Sequence, residues 1–174
     1  MNAVLDAIAL RRSIRAFTDR QVTDEELSEL ISAAQEAPSA MNKQPYHFTF
    51  VRNKELLKEF SDDFNRTSTR SDDRDYDVLR GAPLVCFIFS DNEGFFPPID
   101  SGIAVENLAL AAYSLGLGSV ILGLPVAVFG ATGNKWLKKL DAPENMHFTI
   151  AIGIGTPAAG KDAHPVREGL VSIL

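Results

Sequence analysis

The segment DSGIAVENLALAAYSLGLGSVILG, residues 100–123, decides how the rest of the chain is arranged. From 101 to 115 it is apolar on nearly every face, and its polar exceptions are few: Glu106, Asn107, Tyr113 and Ser114. A helix with one side in solvent shows a polar stripe at a period of 3.6 residues, and this segment has none. The pattern therefore predicts a central helix covered on all sides, by its own domain and by a second copy of the chain.

A membrane span is the alternative explanation for so apolar a segment. Glu106 and Asn107 lie in its middle, Gly116 and Gly118 interrupt it, and many of its apolar residues are small. A span needs about 20 predominantly apolar residues in sequence, so these features argue against one. We expect the helix to end at Gly116 as a left-handed cap, followed by a short buried strand over 119–122.

Composition and length favour one globular domain over residues 1–174. The hydrophobic share of 45% and the charged share of 23% are ordinary for a soluble protein. The net charge of -6 argues against nucleic acid as a partner. The single cysteine, Cys86, lies in an apolar run, which excludes an intramolecular disulfide and favours the cytoplasm. Asp6 interrupts the apolar N-terminal residues, unlike a signal peptide.

The pattern predicts a helix over residues 3–12, and three arginines and a serine lie at its end and just beyond it: Arg11, Arg12, Ser13 and Arg15. Cations at a helix C-terminus complement its dipole, which would explain Arg11 and Arg12. Arg15 lies beyond that helix, and guanidinium groups match the oxygens of a phosphate monoester. From spacing alone, a helix-end role and a phosphate site both stay open.

A second polar segment, PSAMNKQP at 38–45, follows a well-marked helix. Thr23 and Glu26 form a capping box at the start of that helix, and Pro38 ends it. The segment is bracketed by prolines and carries a hydroxyl, amide groups and an amine. Such composition is common in connectors, but a stiff rim of this kind also suits a planar polar ligand.

The other segments alternate between strands and surface helices. Strands are predicted at 47–51, 83–89 and 146–154, with the second one central because its apolar run is nearly continuous. Helices are predicted at 54–64 and 134–140, and a mobile polar loop at 65–77. Phe95 and Phe96 either fill the core, which we favour, or form an exposed substrate contact. The apolar end 170–174 is expected to pair with a partner chain.

Three blocks of the sequence together resemble the nitroreductase family of flavin enzymes. They are RRSIRAF at 11–17, APSAMNKQPYHF at 37–48 and the segment 100–123, in this order. The resemblance implies an α+β fold with three α/β/α layers and a mixed, mainly antiparallel sheet. It also implies an intertwined homodimer with FMN at the subunit interface.

The resemblance further implies which residues contact FMN. By this resemblance, the FMN phosphate and ribityl chain would be held by Arg11, Arg12, Ser13 and Arg15, and Arg167 would add a further cation to the phosphate. The flavin would be approached from the other subunit by Pro38, Ser39, Ala40, Met41 and Asn42. The flavin ring would be lined by the backbone at Leu122 and Gly123. NADH or NADPH would donate a hydride, and a nitroaromatic, quinone or related small acceptor would take the electrons by a ping-pong mechanism.

The flavin would be the sole reactive group, so no catalytic side chain and no metal site are expected. Where relatives often carry a basic pair near the tail, this chain has His164 and Arg167. It also lacks the helical excursion that often covers the flavin. Dehalogenation, oxidative dehydrogenation and a non-enzymatic flavin-binding role stay open as alternatives.

Overall fold

The computed structural model describes residues 2–68, 75–91, 94–163 and 165–174. Its helices are α1 (Ala3–Leu10), α2 (Asp24–Gln35), α3 (Lys54–Thr67), α4 (Pro97–Ser114), α5 (Val126–Thr132) and α6 (Lys135–Lys139). A short 3-10 turn spans Ala40–Asn42. The strands are β1 (Tyr46–Val51), β2 (Leu84–Asp91), β3 (Gly118–Leu122) and β4 (Met146–Gly155).

The four strands form one sheet in the order β1-β2-β4-β3, and each neighbouring pair is antiparallel. Strand β2 lies inside the sheet, as its apolar run predicts, and only its last residue is not fully buried. Successive side chains of a strand point to opposite faces. Accordingly, Val85, Phe87 and Phe89 pack in one core, while Leu84, Cys86 and Ile88 pack in the other.

Helices cover both faces of this sheet, so the three-layer α+β architecture is confirmed. On one face, α3, α5 and α6 pack over an aromatic core that includes Phe60, Phe87, Trp136 and Phe148. On the other face, α2 and α4 pack over an aliphatic core. No helix within the described residues is long and apolar enough to cross a membrane.

Local sequence signals place several helix ends correctly. The capping box is present, because Thr23 Oγ1 accepts the Glu26 N–H while the Glu26 carboxylate accepts the Thr23 N–H. The central helix ends before Gly116, which has a φ of 74°, as expected for a left-handed cap. The helix begins at Pro97, earlier than predicted, because proline is accommodated in the first turn.

Two expectations are corrected. Phe95 and Phe96 do not fill the core, since they are 76% and 54% exposed. Residues 65–67 continue α3 instead of beginning a loop, and residues 69–74 of that loop lie outside the described residues. The single chain leaves one side of α4 open, at Ile99 and Ile103, and the prediction of a helix covered on all sides needs a second copy there.

Candidate functional site

The arginine-rich segment docks on the first residues of β3. The Ile14 N–H donates to the Ser119 carbonyl at 2.8 Å, and Ser13 forms a parallel bridge with Ser119. Gly118 permits this contact, because a Cβ there would lie 2.8 Å from Ile14 Cγ1 and 2.9 Å from Pro157 Cγ. Gly118, the second glycine of LGLG, therefore lets the arginine-rich segment contact β3 at the edge of the sheet.

A cavity of about 280 Å³ lies beside this contact. Its wall includes Arg11, Arg12, Ser119 and Lys161. Three cationic side chains thus line one cavity at the beginning of β3. Such a cluster is suited to an anion with several oxygens, such as a phosphate monoester.

Arg12 is held by the end of α1 and keeps one donor unused. Its Nη1 donates to the Ala9 carbonyl at 2.8 Å and to the Arg11 carbonyl at 2.6 Å. Its Nε is buried and has no hydrogen-bond partner among the described residues. An unsatisfied buried donor is costly, so this atom needs an acceptor from outside the described chain.

Arg11 is oriented by the central helix. Its Nε donates to Glu106 Oε1 at 2.7 Å, with the two side chains 30% and 39% exposed. Its Nη atoms form no hydrogen bond with any described residue, so they are available to a ligand. Arg15 is exposed and makes only a long contact with the Ser13 carbonyl, at 3.4 Å. Arg11 therefore complements a helix end and still presents donors to the cavity.

The other end of β3 leads to an exposed glycine. Leu122 is buried, whereas Gly123 is exposed, and a Cβ on it would meet nothing within 4 Å. Four residue steps of a strand cover about 13 Å, so Gly123 lies well away from the cationic cavity along one sheet edge. An extended ligand with an anionic end and a flat end suits this separation.

The 38–45 loop has an unusual backbone. Met41, Asn42 and Gln44 have positive φ angles of 53°, 53° and 47°. Such angles are uncommon outside glycine and cluster at functional sites. Ser39 Oγ accepts the Gln44 N–H at 2.8 Å, which holds the loop from within.

Of the twelve predicted FMN contacts, only Arg11 and Arg12 line the cationic cavity of a single chain; Ser13, Arg15, Leu122 and Gly123 lie outside its wall. The loop residues 38–42 are absent from its wall, and so is Arg167, which is exposed. Lys161 supplies the tail cation there. This position was missed by sequence reasoning, although the pairing of Gly155 with Gly118 brings the residues after β4 close to the start of β3. His164 lies outside the described residues.

The potential nucleophile Cys86 and the potential proton carriers His47 and His147 do not line the cationic cavity. Cys86 is completely buried, and burial raises the pKa of its thiol well above the usual value, which keeps it protonated and unreactive. His47 and His147 are half-buried on strands. Within the described ranges, no three His, Cys, Asp or Glu side chains are grouped to hold a metal ion.

A larger cavity, of about 450 Å³, lies between α3 and residues 75–83. None of the predicted FMN contacts lines it. Some of its charged side chains are already paired, as Lys58 is with Asp62 at 2.7 Å and Arg52 with Asp24 at 2.6 Å. The smaller cationic cavity is therefore the better candidate site.

Known proteins match nearly the whole chain. The model of the nitroreductase family matches residues 8–156. A relative from Archaeoglobus fulgidus, provisionally named NADH dehydrogenase/NAD(P)H nitroreductase, is 35% identical, over 97% of this chain and 93% of that protein. The iodotyrosine deiodinase of Thermotoga neapolitana is 25% identical, over 98% and 97% of the two chains. A nitroreductase with bound FMN from Desulfitobacterium hafniense superimposes with a TM-score of 0.92 at 28% identity, covering 100% of this chain and 99% of that one.

Proposed function

Because the chain belongs to the nitroreductase family, we propose that it is an FMN-dependent oxidoreductase formed by residues 1–174 as one domain. NADH or NADPH is the electron donor, and the acceptor is a nitroaromatic, a quinone or a related small molecule. The observation that carries this proposal is the cationic cavity at the start of β3, with its unsatisfied Arg12 Nε. The names of the relatives, one an NAD(P)H nitroreductase and another a structure with FMN, agree with it.

The residues present fit FMN. The buried Nε of Arg12 lacks an acceptor among the described residues, and a phosphate oxygen is such an acceptor. Arg11, Arg12, Ser13 and Arg15 would hold the phosphate and the ribityl chain. The backbone at Leu122 and Gly123 would line the ring, where the sheet edge is open.

Two cations of the tail belong to this proposal. Arg167 would add a charge to the phosphate, as the family resemblance implies. Lys161 already lines the cavity with Arg11 and Arg12. Replacing Lys161 with alanine should therefore weaken FMN binding more than replacing Arg167, as flavin titration of the two variants would measure.

When bound, FMN would supply the redox chemistry that connects the nicotinamide donor to the acceptor, with ping-pong kinetics. The protein binds and orients it. No described side chain is needed as nucleophile or proton donor, and the buried Cys86 is unsuited to either role.

A second copy of the chain completes the site in this proposal. Large apolar side chains lie exposed on four segments, which we call the open margin: α1, the loop 38–45, residues 95–103 and the tail 165–174. Exposed apolar patches of this extent mark interfaces, and permanent dimers bury such surfaces. The loop residues Pro38, Ser39, Ala40, Met41 and Asn42 would approach the flavin of the other subunit. We expect this homodimer to work in the cytoplasm.

Two measurements on the purified protein test the proposed function. The protein should be yellow, and the chromophore released on denaturation should be FMN. Oxidation of NADH or NADPH should continue steadily only when an acceptor such as a quinone or nitroaromatic is added. A protein that binds FMN but does not turn over with any donor and acceptor would be a flavin-binding protein instead of an enzyme.

Reductive dehalogenation is the second candidate. It is favoured by the match with a deiodinase of nearly the same length as this chain. Halide release from an iodinated phenol, measured with chemically reduced flavin on the protein, distinguishes it from nitro or quinone reduction. Rapid halide release together with slow quinone reduction would favour dehalogenation.

A further inference from the structure

Asp100 has a buried carboxyl group to which the proposed chemistry gives no role. It lies in the first turn of α4 and is 3% exposed. Its Oδ1 and Oδ2 lie 3.2 and 3.3 Å from the backbone nitrogen of Ala40, whose N–H they accept. Among the described residues, no cation pairs with it. The first turn of a helix favours an acidic side chain, but a buried carboxyl group needs hydrogen-bond partners. Among the described residues its side-chain partner is the Ala40 N–H, so the contact fixes the segment that donates it.

That segment is the strained part of the 38–45 loop. Three of its residues, Met41, Asn42 and Gln44, have left-handed backbones without being glycine. Residues in sparsely populated backbone regions persist only where surrounding contacts fix them. Asp100 fixes Ala40, directly before the first of the three, and Ser39 fixes Gln44, the last of them.

A third contact anchors the base of the loop. The Tyr46 hydroxyl donates to the Ala37 carbonyl at 2.8 Å. The loop is thus held at Ala37, at Ala40 and at Gln44, while Met41 remains 80% exposed. The backbone is fixed, the Gln44 side chain donates to Asn42 Oδ1 at 3.0 Å, and the exposed Met41 side chain is available to a ligand.

We propose that Asp100 is a positioning residue that holds the 38–42 loop in the conformation it presents to the flavin ring. This inference rests on the proposed function, because the loop acts on FMN bound in the other subunit. A loop that is already ordered loses little conformational entropy on binding, which raises the affinity for the ligand. The effect concerns the ring and the acceptor next to it, and leaves the phosphate contacts of the arginines unchanged.

The first test needs no variant. In the flavin-free wild-type protein, hydrogen exchange followed by NMR should show the Ala40 amide strongly protected, because it is bonded to a buried carboxylate. Exchange of Ala40 at the rate of an unstructured peptide would overturn the proposal whatever the variants do.

The second test compares Asp100→Ala, Asp100→Asn and Ser101→Ala. Ser101 is the matched control, because it is fully buried in the same helical turn but donates only to the Pro97 carbonyl of its own helix, at 2.9 Å. Asp100→Ala should lose the protection at Ala40 and weaken FMN and riboflavin binding by the same factor. That factor is about tenfold, the order for one lost hydrogen bond to a charged group. The KM for the acceptor should rise with little change in kcat.

Asp100→Asn keeps an acceptor oxygen and should restore most of the protection and of the riboflavin affinity, while Ser101→Ala should resemble the wild type. Unchanged Ala40 exchange in a folded Asp100→Ala protein, failure of Asn to restore it, or a loss of FMN affinity without a loss of riboflavin affinity would each overturn the role of Asp100. Absence of flavin binding by the wild type would instead contradict the proposed function.

Discussion

The two sides of this molecule differ in how their buried charges are paired and in how completely their apolar side chains are covered. In the aromatic core under α3 and α6, the carboxylate of Asp63 is 2% exposed and accepts the Trp136 Nε1–H at 2.8 Å. It is also paired with Lys135 and Arg66. In the open margin, the equally buried Asp100 accepts one peptide N–H from the described residues. Directly after α1, at the edge of this margin, Arg12 Nε has no partner among them.

The difference shows which side is complete in one chain. Around Phe87, rings pack against one another, with centroids 5.1 Å from Phe60 and 6.4 Å from Phe148. The open margin instead exposes apolar side chains such as Val4, Leu5 and Phe95. The aromatic core stabilises the fold by itself, whereas the open margin is the side where cofactor and partner are expected.

The largest expected effect is the difference in the free energy of unfolding between two matched phenylalanine substitutions, one on each side. Phe87→Ala removes a fully buried ring and should lower the free energy of unfolding by about 3–5 kcal/mol. Phe95→Ala removes a ring that is 76% exposed and should change it by about 0.5 kcal/mol or less. Urea unfolding of the flavin-free protein, followed by the fluorescence of its one tryptophan, measures both. Equal losses would remove the distinction between the sides.

The next effect concerns the phosphate end of the proposed flavin site. Arg11→Ala should weaken FMN binding by about 1.5–3 kcal/mol, or roughly one to two decades, and the loss should shrink at high salt. Riboflavin, which has no phosphate, should be much less affected. Flavin titrations by fluorescence quenching measure both.

Glu106→Gln is the matched control for Arg11→Ala. It breaks the same ion pair of α1 with α4 but leaves the guanidinium in place. FMN binding should stay close to that of the wild type. If FMN and riboflavin weaken equally in Arg11→Ala, or if Glu106→Gln has the same effect, Arg11 is a helix-end cation and nothing more.

A smaller effect is expected at the start of α2, outside both regions. Thr23→Ala removes the acceptor of the Glu26 N–H and should cost about 1 kcal/mol of stability, measured by urea unfolding.

The hydrogen bond from Arg20 lowers the pKa of Glu26. This stabilisation is therefore present above the usual Glu range, near pH 4, and is lost as the pH falls through the lower folded value. Arg20→Ala should make the acid side of the stability profile shallower; an unchanged profile would contradict this.

The smallest effects should come from side chains that the mechanism does not use. Cys86→Ala, His47→Gln and His147→Gln should keep turnover per bound FMN near that of the wild type, even if stability falls by about 1 kcal/mol. His164→Gln should alter FMN affinity at most. A hundredfold loss of turnover at full flavin occupancy in any of the four would mean that a side chain shares the chemistry.

Local signals in the sequence were sufficient for much of the fold. The capping box at Thr23, the cap at Gly116 and the central position of β2 depend on neighbouring residues or on one continuous run, so they can be predicted without tertiary information. Helix α5 was not predicted, because Val126–Thr132 contains a glycine and β-branched residues that disfavour helix, and tertiary packing overrides this.

The site was harder to predict from sequence where it depends on long-range contacts. The arginines at 11–15 are visible as a cluster, but the pairing of Arg11 with Glu106 and the position of Lys161 depend on how α4 and β4 pack. No element among the described residues covers Phe95 and Phe96, and a short apolar motif does not reveal this. Contacts between distant segments have no local signature.

The most direct test of the account is light scattering of the purified protein at low micromolar concentration, with flavin absorbance recorded in line. The account predicts a particle of two chains that carries one FMN per chain. A single chain that retains FMN would contradict the shared site, because the loop 38–42 of a second copy would then be unnecessary. A stable single chain without FMN would contradict both the interface and the cofactor assignment.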